Sequence, residues 1–466
     1  GKMIEWFSKF DFKTWRKGMS FGDWAMIAFW LANVISWTLS KDWKWEAFWG
    51  TSGRYNGVFL MTIYMAVYFL VTRFFKLKRW YLDAFLAVGI FVCVFGITDY
   101  FKMDVLGFKV NMMDTQKPIY TSTFGNINTY TIYVAALMAI SMILFTQEKN
   151  QKRMLWYYGN MILSAFALIM GNSDNAYLSL AAIFGLSPLW LFKTKTGIRK
   201  YMISLASFFT VIWCIEWINN AYASSVLGIS SAFDLIAGHK FLPVLIAALW
   251  IISGILVFLD KKSKVSRTYT EETNKILIYI WIAVIAVVCA AEAFVLYDAN
   301  VAGHADKYSA ISNYVVFNDA WGTNRGYIWK RAMEIFTDKL TPVQKLFGYG
   351  ADTFALIMQY YFPPAQSGGI ITIYDSAHNE YLHYLITIGL FGTGSYIAFM
   401  LASVAAMARK MKEQPEVMAI MIAVLAYMTQ AVVNINLPIA MPIIIQLLAM
   451  GVGRKKNPSE DTKTEK

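Results

Sequence analysis

Residues 126–146 read NINTYTIYVAALMAISMILFT, an apolar run without one acidic or basic side chain. A helix rises about 1.5 Å per residue, so about 20 such residues reach across the hydrocarbon core of a bilayer. Comparable runs occupy 22–39, 57–75, 80–98, 154–170, 175–193, 199–217, 241–259, 275–296, 381–407, 417–434 and 437–450. The last is short and contains Pro438 and Pro442, which predicts a broken or tilted helix. The fold class that follows is all-α: a polytopic transmembrane helix bundle of about 12 spans, read as one membrane domain over residues 1–466.

Composition agrees. Of 466 residues 57% are hydrophobic and 15% charged, where soluble domains carry about a quarter charged residues. The net charge of +12 would suit nucleic acid, but the basic residues punctuate apolar runs instead of gathering on one face, so nucleic acid is excluded as a partner. Cys93, Cys214 and Cys289 lie inside apolar runs, with neither a close partner nor a histidine at ligand spacing, so neither disulfide nor zinc site is implied. Lys13, Arg16 and Lys17 precede the first run and no small-residue cleavage site follows, which predicts a retained first span.

Orientation follows from the excess of Lys and Arg on the cytoplasmic side. With the N-terminus inside, the N-terminal segment, Arg73 to Arg79, Lys149 to Arg153, Lys193 to Lys200, Lys261 to Lys275, Arg409 to Lys412 and the tail hold 29 of the 42 Lys and Arg. Both termini are therefore expected in the cytoplasm, with 453–466 as a cytoplasmic tail, in a plasma or inner membrane. Residues 297–380 form a large extracytoplasmic loop between spans 9 and 10, rich in aromatics, and such a loop is more often functional than a passive connector. Within it Tyr327 to Leu340 has apolar residues three and four apart and predicts an amphipathic helix.

All four histidines, His239, His304, His378 and His383, fall in outer segments or at the outer end of a span, which points to extracytoplasmic chemistry. Asp375 or Ser376 can cap the helix of the tenth span, placing His378 in its first turn, where the helix dipole disfavours imidazolium. A neutral imidazole there can accept a proton from a sugar hydroxyl; the alternative is an interfacial polar residue. His378 and His383 are five residues apart and do not share a helix face, so a metalloprotease-type metal site is excluded, and with no Asp-x-Asp motif in the outer segments no metal is predicted.

The string AHNEYLHYLITIGLFG from Ala377 resembles the signature His-Asn segment of the O-antigen ligase and polymerase superfamily, including the glycine-rich Gly389 to Gly392. Asn324 to Ala332, followed by Gly348-Tyr349-Gly350, resembles the family's Arg-x-x-x-Trp element and Gly-x-Gly turn. Ser52 to Gly57 and Thr123 to Tyr130 resemble two further family elements. The resemblance implies a membrane glycosyltransferase that needs no cofactor. It would join a glycan from an undecaprenyl diphosphate-linked oligosaccharide to a saccharide acceptor, at the outer face of the lipid bilayer. It further implies His378 as catalytic base and Arg325 as ligand and stabiliser of the diphosphate.

Arg54 is a candidate for a second phosphate contact. Asn126 and Asn128 either bind glycan or cap their helix. Asn379 is a candidate glycan contact, and Trp321 and Trp329 either stack on sugar rings or anchor the loop at the interface. Ligases of the family often carry an arginine between the fifth and sixth spans, where this chain reads Gly171-Asn172-Ser173-Asp174-Asn175. Either Arg54 or Lys330 replaces it, or the diphosphate is held differently, with Asp174 binding acceptor hydroxyls. The missing arginine favours a polymerase, acting on a second lipid-linked repeat, over a ligase acting on a lipid core, wall polymer or protein. A transporter or flippase is the rival from another class, but Asp83, Glu216 and Glu292 lie near span ends, leaving span centres nearly uncharged, and there is no inverted repeat.

Overall fold

The computed structural model describes residues 16–229, 232–262, 275–363 and 374–453. Lys13, most of the basic 261–275 segment and nearly all of the 453–466 tail lie outside the described residues, as does part of the 297–380 segment. The described residues are helical, with turns and no strand. They form two compact units, one from the described residues of Gly1–Leu77, Glu292–Arg409 and Ala431–Lys466, the other from those of Lys78–Ala291 and Lys410–Gln430.

In the second unit the opening run is the helix Ile127–Gln147, capped by Asn126, whose side chain accepts from the amides of Asn128 and Thr129. Its apolar window is wholly buried, packed by the helices Gln151–Met170, Asn175–Leu186 and Val417–Gln430. A helix that is apolar on all sides is stable only when enclosed by other apolar surface. Small residues let the helix Arg79–Tyr100 come close: a methyl on Gly96 would lie 2.1 Å from the Tyr130 hydroxyl, and one on Gly89 2.4 Å from Leu137. At one end of this unit, Arg79 pairs with Glu148 and Arg153 with Asp83, at 2.8 Å each, with the Tyr157 hydroxyl between them. The basic residues read as topology signals therefore also clamp helices.

Among the described residues six helices are long and apolar enough to cross a membrane: Arg79–Tyr100, Ile127–Gln147, Lys195–Ala221, Leu242–Asp260, Lys275–Asn300 and Gly389–Lys410. Val58–Phe74, Asn175–Leu191, Val417–Gln430 and Met441–Val452 are shorter and apolar. The 175–193 run is interrupted at Ser187, just before Pro188, whose missing N–H cannot continue the ladder. The final run becomes helical only at Met441.

The 381–407 run is likewise two helices, Glu380–Thr387 and Gly389–Lys410. Gly389 bends the chain at φ +71°, and a β-carbon there would stand 2.4 Å from the Leu346 carbonyl oxygen. The break frees the carbonyls of Ile386 and Thr387, which accept from the amides of Tyr349 and Gly350, both at 3.1 Å. The Gly-Tyr-Gly turn thus supplies the partners that an interrupted helix lacks. Of Tyr327 to Leu340, all but the extended Leu340 is helical, running from the helix Trp321–Glu334 into the wider turn Ile335–Lys339. Its apolar face, Ile328, Ala332 and Ile335, packs with Phe354, Met358 and Ala377 into a small core of its own in the first unit.

Candidate functional site

Three segments of the first unit converge. In the first, a tight turn between Gly50 and Gly57 carries Arg54; the two glycines approach so closely that a β-carbon on Gly57 would stand 2.5 Å from the Gly50 nitrogen. Arg54 forms an ion pair with Asp375 at 2.6 Å and reaches the Ser376 hydroxyl at 3.4 Å.

In the second, Gly322, Thr323 and Asn324 adopt left-handed backbone conformations before the helix proper, so that Arg325 stands at its start and donates from Nη1 to the Gly322 carbonyl at 2.7 Å. Gly326 is sterically required: a β-carbon there would lie 1.8 Å from the Asn318 carbonyl oxygen.

The third segment carries His378. Ala377 is fully buried in the small core and its carbonyl accepts from Trp329 Nε1 at 2.8 Å. The helix begins at Glu380 with Asn379 as its cap, accepting from the Leu382 amide at 3.0 Å. Neither Asp375 nor Ser376 is the cap, and His378 precedes the helix instead of occupying its first turn. Asn379 is the better cap because its extended backbone points its short side chain at the exposed amides. His378 itself is left-handed, at φ +45°, and is pinned on both sides by the Trp329 bond and by the Glu380 amide bonded to the Ala431 carbonyl at 2.9 Å. Strained backbone of this kind persists where surrounding bonds overdetermine it.

Burial is the main reason that the His378 imidazole is pushed down to about 4. The positive charges of Arg325 and Arg54 act in the same direction and Asp375 opposes them. The ring is therefore neutral near pH 7, chiefly through desolvation and two guanidinium groups, where the sequence suggested a helix dipole. Its Nδ1 is buried with no hydrogen-bond partner among the described residues.

Trp321 and Trp329 form an edge-on pair with ring centroids 5.1 Å apart, joined by Phe317. Trp321 also donates to the Tyr314 carbonyl, so both indoles anchor backbone. Lys330 is ion-paired with Asp319 at 2.8 Å and lies over the Phe317 ring, while Arg331 pairs with Glu334. The first unit thus gathers Arg54, Arg325, Trp329, His378 and Asn379.

Asn126, Asn128 and Asp174 belong to the second unit. Asn126 is a helix cap, and Asn128 accepts from Ser173 and Asn175, tying down the turn that includes the exposed Asp174. His383 stacks on Phe354, and His304 bonds Asp298 at 2.7 Å. What the sequence did not disclose is the Arg54–Asp375 pair, whose only written signal is opposite charge across more than three hundred residues.

The family model for O-antigen ligase matches residues 159–397, just over half of the chain. The chain belongs to the O-antigen ligase family. Arg325 and His378 lie inside the match and Arg54 outside it. No curated protein matches the chain significantly. Membership together with the apolar helices makes this an integral membrane protein of polysaccharide biosynthesis.

Proposed function

We propose that this O-antigen ligase family member is a polysaccharide polymerase that extends a glycan carried on undecaprenyl diphosphate, at the outer face of a membrane crossed by about 12 spans, with both termini in the cytoplasm. The observation that carries the reading is a neutral, strained imidazole under the charges of two guanidinium groups, all in one compact unit. In the reaction, His378 takes the proton of the acceptor hydroxyl as its oxygen attacks the anomeric carbon. The bond from that carbon to the diphosphate oxygen breaks, and the leaving diphosphate departs with the electron pair and its charge held by Arg325 and Arg54. Direct displacement inverts the anomeric centre.

Phosphate oxygens replace Asp375 on Arg54, and the same negative charge offsets the guanidinium charges that depress His378. Binding the donor therefore makes the base stronger at the moment it is needed. Because the arginines supply the positive charge, activity should persist in a chelator.

Purified protein with lipid-linked donor provides the test. His378→Ala should slow turnover by about a hundredfold or more, the range for loss of a general base; wild-type turnover would exclude the role. Arg325→Ala should weaken donor binding, and unchanged affinity would contradict its assignment. Product length distinguishes a polymerase from a ligase, and vesicle translocation without glycan extension would favour the flippase reading.

A further inference from the structure

We propose that Asp352 is the positioning residue for Arg54: its buried carboxylate knots the Thr51–Asn56 turn and so fixes where the guanidinium at the turn meets the His378 segment. This inference rests on Arg54 holding the donor diphosphate, and adds a residue that no motif pointed to.

Asp352 is 5% exposed and stands in a left-handed conformation, φ +54°, two residues beyond the Gly-Tyr-Gly turn. Its Oδ2 accepts from the amide of Thr51 at 2.9 Å and from that of Asn56 at 3.0 Å, the two ends of the stretch that contains Arg54. The Thr51 hydroxyl also donates to the Asp352 carbonyl oxygen. Its other carboxylate oxygen faces His383 Nε2 at 3.6 Å. One side chain thus satisfies two part-buried amides of a six-residue turn, and hydrogen bonds to a carboxylate are stronger than those to a neutral acceptor.

The placement also couples two parts of the site. The amides of Tyr349 and Gly350 hold the carbonyls at the end of the helix that follows His378, while the carboxylate three and two residues further on holds the turn of Arg54. The stretch 349–352 therefore registers the base and the phosphate ligand against each other. A small cavity bordered by Arg54, Asn56, Asp352, Ser376, Glu380 and His383 lies at the same junction. With loop and helix hung on one support, the reach of Arg54 to Asp375 and Ser376 is a property of Asp352 as much as of Arg54 itself.

The experiment uses the full-length protein in detergent, with Asp352→Asn and Asp352→Ala compared by hydrogen exchange and by donor kinetics. An Asn oxygen can still accept from both amides, so the expected order is graded: Asp352→Ala raises the donor KM about tenfold with a smaller change in kcat, and Asp352→Asn recovers most of it. Exchange of the 50–57 peptide should rise in the Ala variant, while exchange of the helix Val417–Gln430 in the other unit stays as in the wild type, which shows that the fold is retained.

Combined with Arg54→Ala, the Asp352→Ala change should add almost nothing to the loss in donor affinity; combined with Arg325→Ala, the two losses should add. Unchanged exchange at 50–57, or full additivity with Arg54→Ala, would overturn the positioning role. Unchanged donor affinity in Arg54→Ala alone would instead sink the diphosphate reading, and the exchange measurement would still report whether Asp352 holds the turn.

Discussion

A histidine that is to take a proton from a sugar hydroxyl must be uncharged when the acceptor arrives and basic when the bond forms. His378 meets the first demand through burial and the repulsion of Arg325 and Arg54, which bring it to about 4. Free enzyme then holds the neutral form, the active one in the proposed reaction, at every pH above about 4 and loses it only as the pH falls through that value. The acidic limb of kcat/KM should therefore lie near 4 and that of kcat, which reports the donor-bound enzyme, at higher pH, because bound diphosphate offsets the two guanidinium charges. Coincident limbs in a pH profile would contradict this coupling. Asp375 acts in the opposite sense, raising His378 and occupying Arg54. Asp375→Asn should lower the donor KM several-fold, since half-exposed ion pairs are worth about a kcal/mol or less, and should move the kcat/KM limb to lower pH. Steady-state kinetics on the two proteins decides both.

At the level of the helix, the run 381–407 shows where a hydropathy reading stops. Averaged over a window, Thr387, Gly389 and Gly392 dilute the apolar signal without ending it, so one span is read where two helices meet. The two glycine motifs were both visible in the sequence, but that one supplies hydrogen bonds to the break at the other is a fact of three-dimensional proximity between residues about 40 apart. Gly389→Ala should be strongly destabilising: the left-handed backbone alone costs an alanine about 1–2 kcal/mol, and its β-carbon would collide with the Leu346 carbonyl. Thermal melting in detergent should show a clear fall, and a melting temperature within a degree of wild type would refute the account. Capping was similarly half-legible. Asn126 was open between two roles and is a cap, whereas the cap beside His378 proved to be Asn379, three or four residues beyond the candidates, because caps depend on backbone direction that composition does not record.

For the molecule as a whole, burial is unevenly distributed in a way that defines its solvent. The apolar window of Ile127–Gln147 is wholly buried, whereas none of that of Lys275–Asn300 is. So much exposed apolar surface on a helix of that length is stable against hydrocarbon, not water. Val287→Asp, at an exposed position in mid-helix, should reduce recovery in the membrane fraction, with an insertion cost of about 2.5–3.5 kcal/mol; undiminished membrane yield would argue against that helix crossing. Class and helices were legible because the bilayer imposes length and apolarity directly on sequence. The assembly of positions 54, 325, 352 and 378 was not, since nothing in a linear pattern records which loops meet. The Arg54–Asp375 pair has a further consequence in such a setting. Membranes are crowded with singly charged lipid phosphodiesters, and the Asp375 carboxylate is a singly charged competitor already tethered on Arg54. A lipid phosphodiester brings one charge, as this resident competitor does, whereas a diphosphate brings several charged oxygens at once. The site is thereby shielded from the commonest anions of its own surroundings.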